Sequence, residues 1–194
     1  MRPMPVWYHE TYTEGISRSA RFPRDRYRML RERLNDLHGT GLICIESPEP
    51  VVRDTLLIAH EQDYVDRFLS GSLDTKEVRR IGLEPWTGAF LPRTMRIIGG
   101  AVEALAHVTR FGGIAANMAG GTHHSHRSFG SGYCVFNDLA ICALLARDEY
   151  GYERIAVIDL DVHQGDGTAT ILEGEEGIIT ISVHGEKNFP FRKA

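Results

Sequence analysis

The stretch VIDLDVHQGDGT, residues 157–168, decides the fold. The apolar residues Val157 and Ile158 lead directly into Asp159, Asp161, His163 and Asp166, with Gly165 and Gly167 breaking up the end. A β-branched apolar run reads as a strand. In open α/β sheets, ligands gather at the carboxyl ends of strands. Alternate side chains of an extended segment share one side, so Asp159, Asp161 and His163 point one way and Leu160 and Val162 the other. Neighbours on that side stand about 6–7 Å apart, so two can lean onto one ion through bonds of about 2.0–2.2 Å while a third in line cannot. The pattern predicts Asp161 and His163 as metal ligands and Asp159 as a supporting carboxylate or a ligand of a separate ion. Taken alone, D-x-D-x-H is also short enough to be a solvated strand end.

The surrounding chain reads as strands alternating with helices. Strands are predicted over 5–12, 41–46, 114–121, 154–161 and 177–184. Helices are predicted over 22–38, 60–69, 92–110, from Asn137 or Asp138 to 148, and over 168–172. Residues 69–88 read mostly as loop, punctuated by Gly71, Gly82, Pro85 and Gly88. Gly99 and Gly100 inside the 92–110 helix lower its stability but permit close packing. Such alternation implies right-handed crossovers and a mainly parallel sheet. The later strands are nearly continuous apolar runs, as strands covered on both faces require.

The bulk numbers bound the function. The chain has 194 residues, 42% hydrophobic and 25% charged, with a formal net charge of −4. That suits one packed domain and gives no basic footprint for nucleic acid. The early arginines, Arg18 to Arg33, are interleaved with Asp25 and Glu32 and read as a solvated helix face. Three cysteines without a C-x-x-C argue against a disulfide scaffold or a cysteine zinc site and suit a reducing, cytoplasmic setting. No apolar run reaches the roughly 18–20 residues of a membrane helix, and the N-terminus lacks a signal-peptide core.

Other segments bring further chemistry to strand ends. GGTHHSH, residues 120–126, places adjacent His123 and His124 after a Gly–Gly turn. A histidine with a carboxylate partner is a tuned general acid or base, and Asp159 and Asp166 can be those partners. His126 reads as a loop residue. In GSGYCVFND, residues 130–138, Gly130 and Gly132 let backbone approach a ligand and Tyr133 offers a flat wall. His184, by itself, reads as a structural histidine. QGDGT lacks both G-x-G-x-x-G and the P-loop lysine, so it is no phosphate cradle. His9, His38, His60 and His107 carry no constellation around them.

Jointly, GGTHHSHRSFGSGYCVFND, VIDLDVHQGDGT and ISVHGEKNFPF resemble the zinc-dependent histone deacetylase family, within the arginase/deacetylase superfamily. The likeness is strongest to its bacterial and class IV-like members and spans almost the whole chain. It implies a three-layer α/β fold with a mainly parallel central sheet flanked by helices. It also implies removal of acetyl or longer acyl groups from lysine or related amines, with zinc as cofactor and no nucleic-acid or membrane partner. By the family pattern Asp161 and His163 ligate zinc, and His124 is the general base. His123 gives electrostatic support, and Asp159 and Asp166 stand behind His123 and His124. Gly132 and Tyr133 match the wall of the acyl-lysine tunnel, where many relatives carry Phe. Asp159, Asp161, His163, Ser182 and the carbonyl of Val183 match a structural potassium site. The family's third zinc ligand, an Asp, and its oxyanion-stabilising Tyr lie beyond the ISVH strand. The resemblance therefore implies that residues 1–194 are the N-terminal two-thirds of one catalytic domain. The competing expectations are an inactive acyl-lysine-binding or partner-binding module and a manganese arginase-like hydrolase.

Overall fold

The computed structural model describes residues 2–194. They form two compact units. The first runs to Val52 and resumes over Leu83–Gly120; the second comprises Arg53–Gly82 and Gly121–Ala194.

The first unit is built on three parallel strands. β1, Met4–Trp7, lies between β2, Ile43–Glu46, and β3, Ala116–Asn117. Val6, Ile43 and Met118 form its buried apolar centre, with Leu34 of helix α1, Arg26–Gly39, packed against them. Helix α5, Phe90–Phe111, buries Phe90, Thr94, Ile97 and Ile98 of its first half, while residues 101–109 stay half-buried. Gly99 and Gly100 are explained by close approach. A Cβ at Gly99 would collide with the Glu49 carbonyl, and one at Gly100 would lie 2.8 Å from both Asn117 and the Tyr12 hydroxyl. That hydroxyl donates to Asn117 Oδ1 at 2.9 Å.

The second unit has an aromatic centre. Phe136 is fully buried, with the rings of His60, Phe68 and Tyr64 at 5.0, 5.0 and 5.4 Å. His60 and Tyr64 flank and open helix α3, Gln62–Leu69, and the Tyr64 hydroxyl donates to the Val135 carbonyl at 2.8 Å. Helix α6, Asp138–Asp148, packs against strand β4, Ile155–Asp159, and against helix α7, Asp166–Leu172. β4 pairs in parallel with β5, Ile178–Ser182, in a register that sets Asp159 beside Ser182. The parallel pairing and flanking helices are those of an α/β fold.

Several sequence expectations are corrected. The first strand ends at Trp7 and gives way to a 3-10 turn over Glu10–Thr13, because the His9 side chain accepts from Thr11 N at 3.1 Å and caps it. The 22–38 helix starts only at Arg26, the 60–69 helix at Gln62, and the 168–172 helix earlier, at Asp166. The 114–121 strand shrinks to two residues. A short helix α2, Arg53–Leu56, had no periodic signal. Residues 69–88 contain helix α4, Thr75–Ile81, started by a capping box in which Asp74 accepts from Lys76 and Glu77 N and Glu77 accepts from Asp74 N. The D-x-x-E of Asp74 and Glu77 is the local signal that starts this helix. The expected parallel pairing holds: among the described residues all five strands pair in parallel, in a three-stranded and a two-stranded sheet. But β4 and β5 are not covered on both faces: Ile158, Ile179 and Ile181 remain 62, 59 and 45% exposed.

Candidate active site

The site is assembled in the second unit from the segment 121–126, the end of β4 and the start of α7. Asp138, buried at the first turn of α6, holds the segment's entry. Its carboxylate accepts from Gly121 N at 2.9 Å, Thr122 N at 2.7 Å and the Thr122 hydroxyl at 2.5 Å. Asn137 Nδ2 donates to the Ser125 carbonyl at 3.0 Å, and Thr168 N donates to the His123 carbonyl at 3.1 Å. The segment is thus fixed from both ends, and burying its backbone leaves few polar groups unpaired. Sequence reasoning treated Asn137 and Asp138 only as candidate helix caps. Asn137 is one, accepting from Ala140 N at 2.9 Å, but both also set the histidine backbone.

His123 and His124 are 5 and 3% exposed, with ring centroids 4.0 Å apart. His123 Nδ1 lies 2.6 Å from Asp159 Oδ2, and His124 Nδ1 lies 2.7 Å from Asp166 Oδ1. Each expected carboxylate therefore stands behind its expected histidine. An anionic carboxylate only accepts, so Nδ1 carries the proton and Nε2 of the neutral ring keeps its lone pair. Burial is the largest influence on His124 and, with the fields of His123 and His163, holds its pKa below the ordinary value despite Asp166. Burial pushes Asp166 up, but the hydrogen bonds from His124 and His126 outweigh it and hold the carboxyl well below the usual range.

Asp161 and His163 were expected to share a strand face. The strand ends at Asp159, so alternation does not place them. A turn does: Asp161 Oδ1 accepts from His163 N at 2.8 Å and lies 2.9 Å from His163 Nδ1. Their side chains are 51 and 42% exposed. Burial would raise the Asp161 pKa, but His163 N, the His123 charge and the His163 ring hold it below the usual carboxylate range. His123 Nε2 is 3.9 Å from the same oxygen. One anionic oxygen and one imidazole nitrogen at this spacing suit two zinc ligand positions. A catalytic zinc typically takes three protein ligands. Among the described residues no group of three His, Cys, Asp or Glu is placed to hold a metal.

The residues matched to a potassium site lie together where β4 and β5 end. Asp159 Oδ1 accepts from Asp161 N at 3.0 Å, and the Asp159 carbonyl accepts from Val183 N at 2.9 Å. Ser182 Oγ is 2.9 Å from His184 Nδ1, which gives His184 a structural partner.

Gly132 and Tyr133 form the tip of a tight hairpin closed by mutual backbone hydrogen bonds of Ser131 and Cys134. Both have positive φ, 51° and 68°, the signature of a type I′ turn. Tyr133 is the sole non-glycine residue with positive φ among the described residues, and Tyr133 N donates to the Ile81 carbonyl at 2.7 Å. A Cβ at Gly132 would lie 2.6 Å from His124 Cδ2, so the bare backbone rests against the imidazole. Phe189, which sequence reasoning did not single out, stands edge-on to His124 with centroids 4.8 Å apart. His126, a loop residue by sequence, has its Nε2 3.4 Å from Asp166 Oδ2. His60, assigned no chemistry, is a buried structural group. Its Nδ1 donates to the His126 carbonyl and its Nε2 accepts from Asn137 N, both at 2.9 Å, and burial pushes its pKa down to about 4.

The chain is similar to several known proteins. The chain is 41% identical over 192 residues to an uncharacterized protein of Picosynechococcus sp., covering 97% of this chain and 62% of that protein. It is 31% identical over 160 residues to the acetoin utilization protein AcuC of Staphylococcus aureus, covering 75% of this chain and 41% of AcuC. It is 32% identical over 167 residues to the polyamine deacetylase HDAC10 of Rattus norvegicus, covering 82% of this chain and 27% of HDAC10. The chain thus spans less than two thirds of each relative's length. The crystal structure of the HDA15 HD domain superposes with a TM-score of 0.79 at 18% identity, covering the whole of this chain and 57% of that one, and so shares its fold. Residues 20–194 match the histone deacetylase domain, and the chain belongs to that family.

Proposed function

We propose that this chain carries the proton-transfer and metal-anchoring residues of a zinc-dependent amidohydrolase that removes acetyl or other acyl groups from lysine or related amines. The observation that supports this most is the 2.7 Å contact between the buried His124 Nδ1 and Asp166. It keeps the proton on Nδ1 and leaves Nε2 free to accept one. In this reading His124 takes a proton from the attacking water at Nε2 and later returns it to the departing amine, which needs a base neutral near pH 7. His123, held by Asp159, gives electrostatic support beside the reacting centre. Asp161 and His163 hold the zinc, which when bound supplies Lewis acidity, acidifying water and polarising the carbonyl. Gly132, Tyr133 and Phe189 flank the acyl chain next to His124. Asp159, Asp161, His163, Ser182 and Val183 serve a structural potassium ion. One relative, named a polyamine deacetylase, favours a small acylated amine over a histone tail.

The test is acetate release from an ε-acetyl-lysine peptide and from an N-acetylpolyamine by the full-length protein, first stripped of metal and then restored with zinc. Zinc-dependent release from either substrate supports the reading. No release by folded, zinc-loaded protein overturns it.

A further inference from the structure

The carboxylate of Asp166 has two imidazole partners. Its Oδ1 meets His124 Nδ1 at 2.7 Å, and its Oδ2 faces His126 Nε2 at 3.4 Å. His126 is itself held on four sides. Its N donates to the Phe129 carbonyl at 2.9 Å, and its carbonyl accepts from His60 Nδ1 at 2.9 Å. Its ring stacks on Phe129 with centroids 4.4 Å apart, and its Nδ1 lies 2.8 Å from the Thr170 hydroxyl. That hydroxyl has one proton to give, either to His126 Nδ1 or to the Gly167 carbonyl 3.1 Å away. When the hydroxyl donates to Nδ1, the neutral ring carries its own proton on Nε2, which faces Asp166.

We infer that His126 is a positioning residue for the proposed general base: it holds the second oxygen of Asp166 so that the first stays aligned on His124. A carboxylate fixed by one hydrogen bond can rotate about its terminal carbon–carbon bond, which is a broad two-fold torsion. Fixing both oxygens removes that freedom and holds the partner ring in a single tautomer and orientation. The unit is then a chain of four side chains, Thr170, His126, Asp166 and His124, anchored on α7 at Asp166 and Thr170. This inference rests on the general-base reading of His124, but its test does not require turnover.

The measurement is the hydrogen-exchange rate of the downfield His124 Nδ1–H resonance, with the His123 Nδ1–H resonance on Asp159 as an internal control. In His126→Ala the His124 proton should exchange at least tenfold faster while the His123 proton is unchanged. In His126→Gln, whose amide can still donate to Asp166, the rate should return to within about threefold of the parent. An unchanged His124 rate in His126→Ala overturns the proposal. So does equal acceleration of both resonances, which marks a general loosening of the segment. Failure of the deacetylase reading appears separately, as a folded zinc-loaded parent that releases no acetate.

Discussion

The two histidine–carboxylate pairs and the Asp161–His163 pair are built from the same residue types but opposite surroundings. His123 and His124 are nearly sealed, each with one carboxylate against Nδ1. Asp161 and His163 stand about half-exposed and turn their donor atoms toward each other. Burial makes a hydrogen bond specific, because an unmade one is costly in a dry setting. It therefore fixes tautomer and ring plane, which proton transfer needs. Exposure keeps donor atoms accessible, which an incoming cation needs. Along 159–166 the chain covers most of the Asp159 side chain, surfaces at Asp161 and His163, and covers most of Asp166 again, so in the proposed reading one stretch provides for both.

The largest expected effect breaks the sealed side. His124→Ala should lower acetate release about 10²- to 10⁴-fold, the usual worth of a positioned acid–base group. Because burial holds the His124 pKa below the ordinary histidine value, the acid-side fall in the parent's kcat/KM should lie at lower pH than that of an ordinary histidine base. A rate–pH profile that falls already above pH 7 contradicts this. Asp166→Asn leaves His124 without an anionic partner and should lower turnover about 10- to 10²-fold and stability by about 1–3 kcal/mol, read from kinetics and denaturant melts.

His60 sharpens the comparison, being a sealed histidine without a carboxylate. Its folded pKa of about 4 lies below the ordinary 6.5, so the unfolded chain binds the extra proton between those values. Its contribution is present above pH 6.5 and lost as pH falls toward 4, by about 3 kcal/mol in all. His60→Gln should flatten that acid limb in melts taken from pH 7 to 4. The smallest effect is at the boundary. Gly132→Ala places a methyl against His124 at a φ of 51° and should cost about 1–2 kcal/mol, with a raised KM or lowered kcat.

How far the sequence carried differs along the same divide. The α/β alternation, Asn137 as a cap, and the pairing of Asp159 and Asp166 with His123 and His124 were all legible, because apolar runs and motif spacing record them. Asp161 and His163 were singled out by strand alternation, yet a side-chain-to-backbone turn brings them together. No local pattern announces that Asp138 clamps Gly121 and Thr122 from seventeen and sixteen positions away. His126 was hidden for a similar reason, since its partner Asp166 lies forty residues along the chain. Helix α4 carries its local signal in the capping box of Asp74 and Glu77, within a stretch whose glycines read as loop.

The division of labour between sealed and open pairs is tested most directly by measuring zinc content and acetate release together in His124→Ala and Asp161→Ala. His124→Ala should retain the parent's zinc and lose turnover, while Asp161→Ala should lose zinc and turnover together. Full zinc occupancy in Asp161→Ala, or parent-level turnover in His124→Ala, would contradict it.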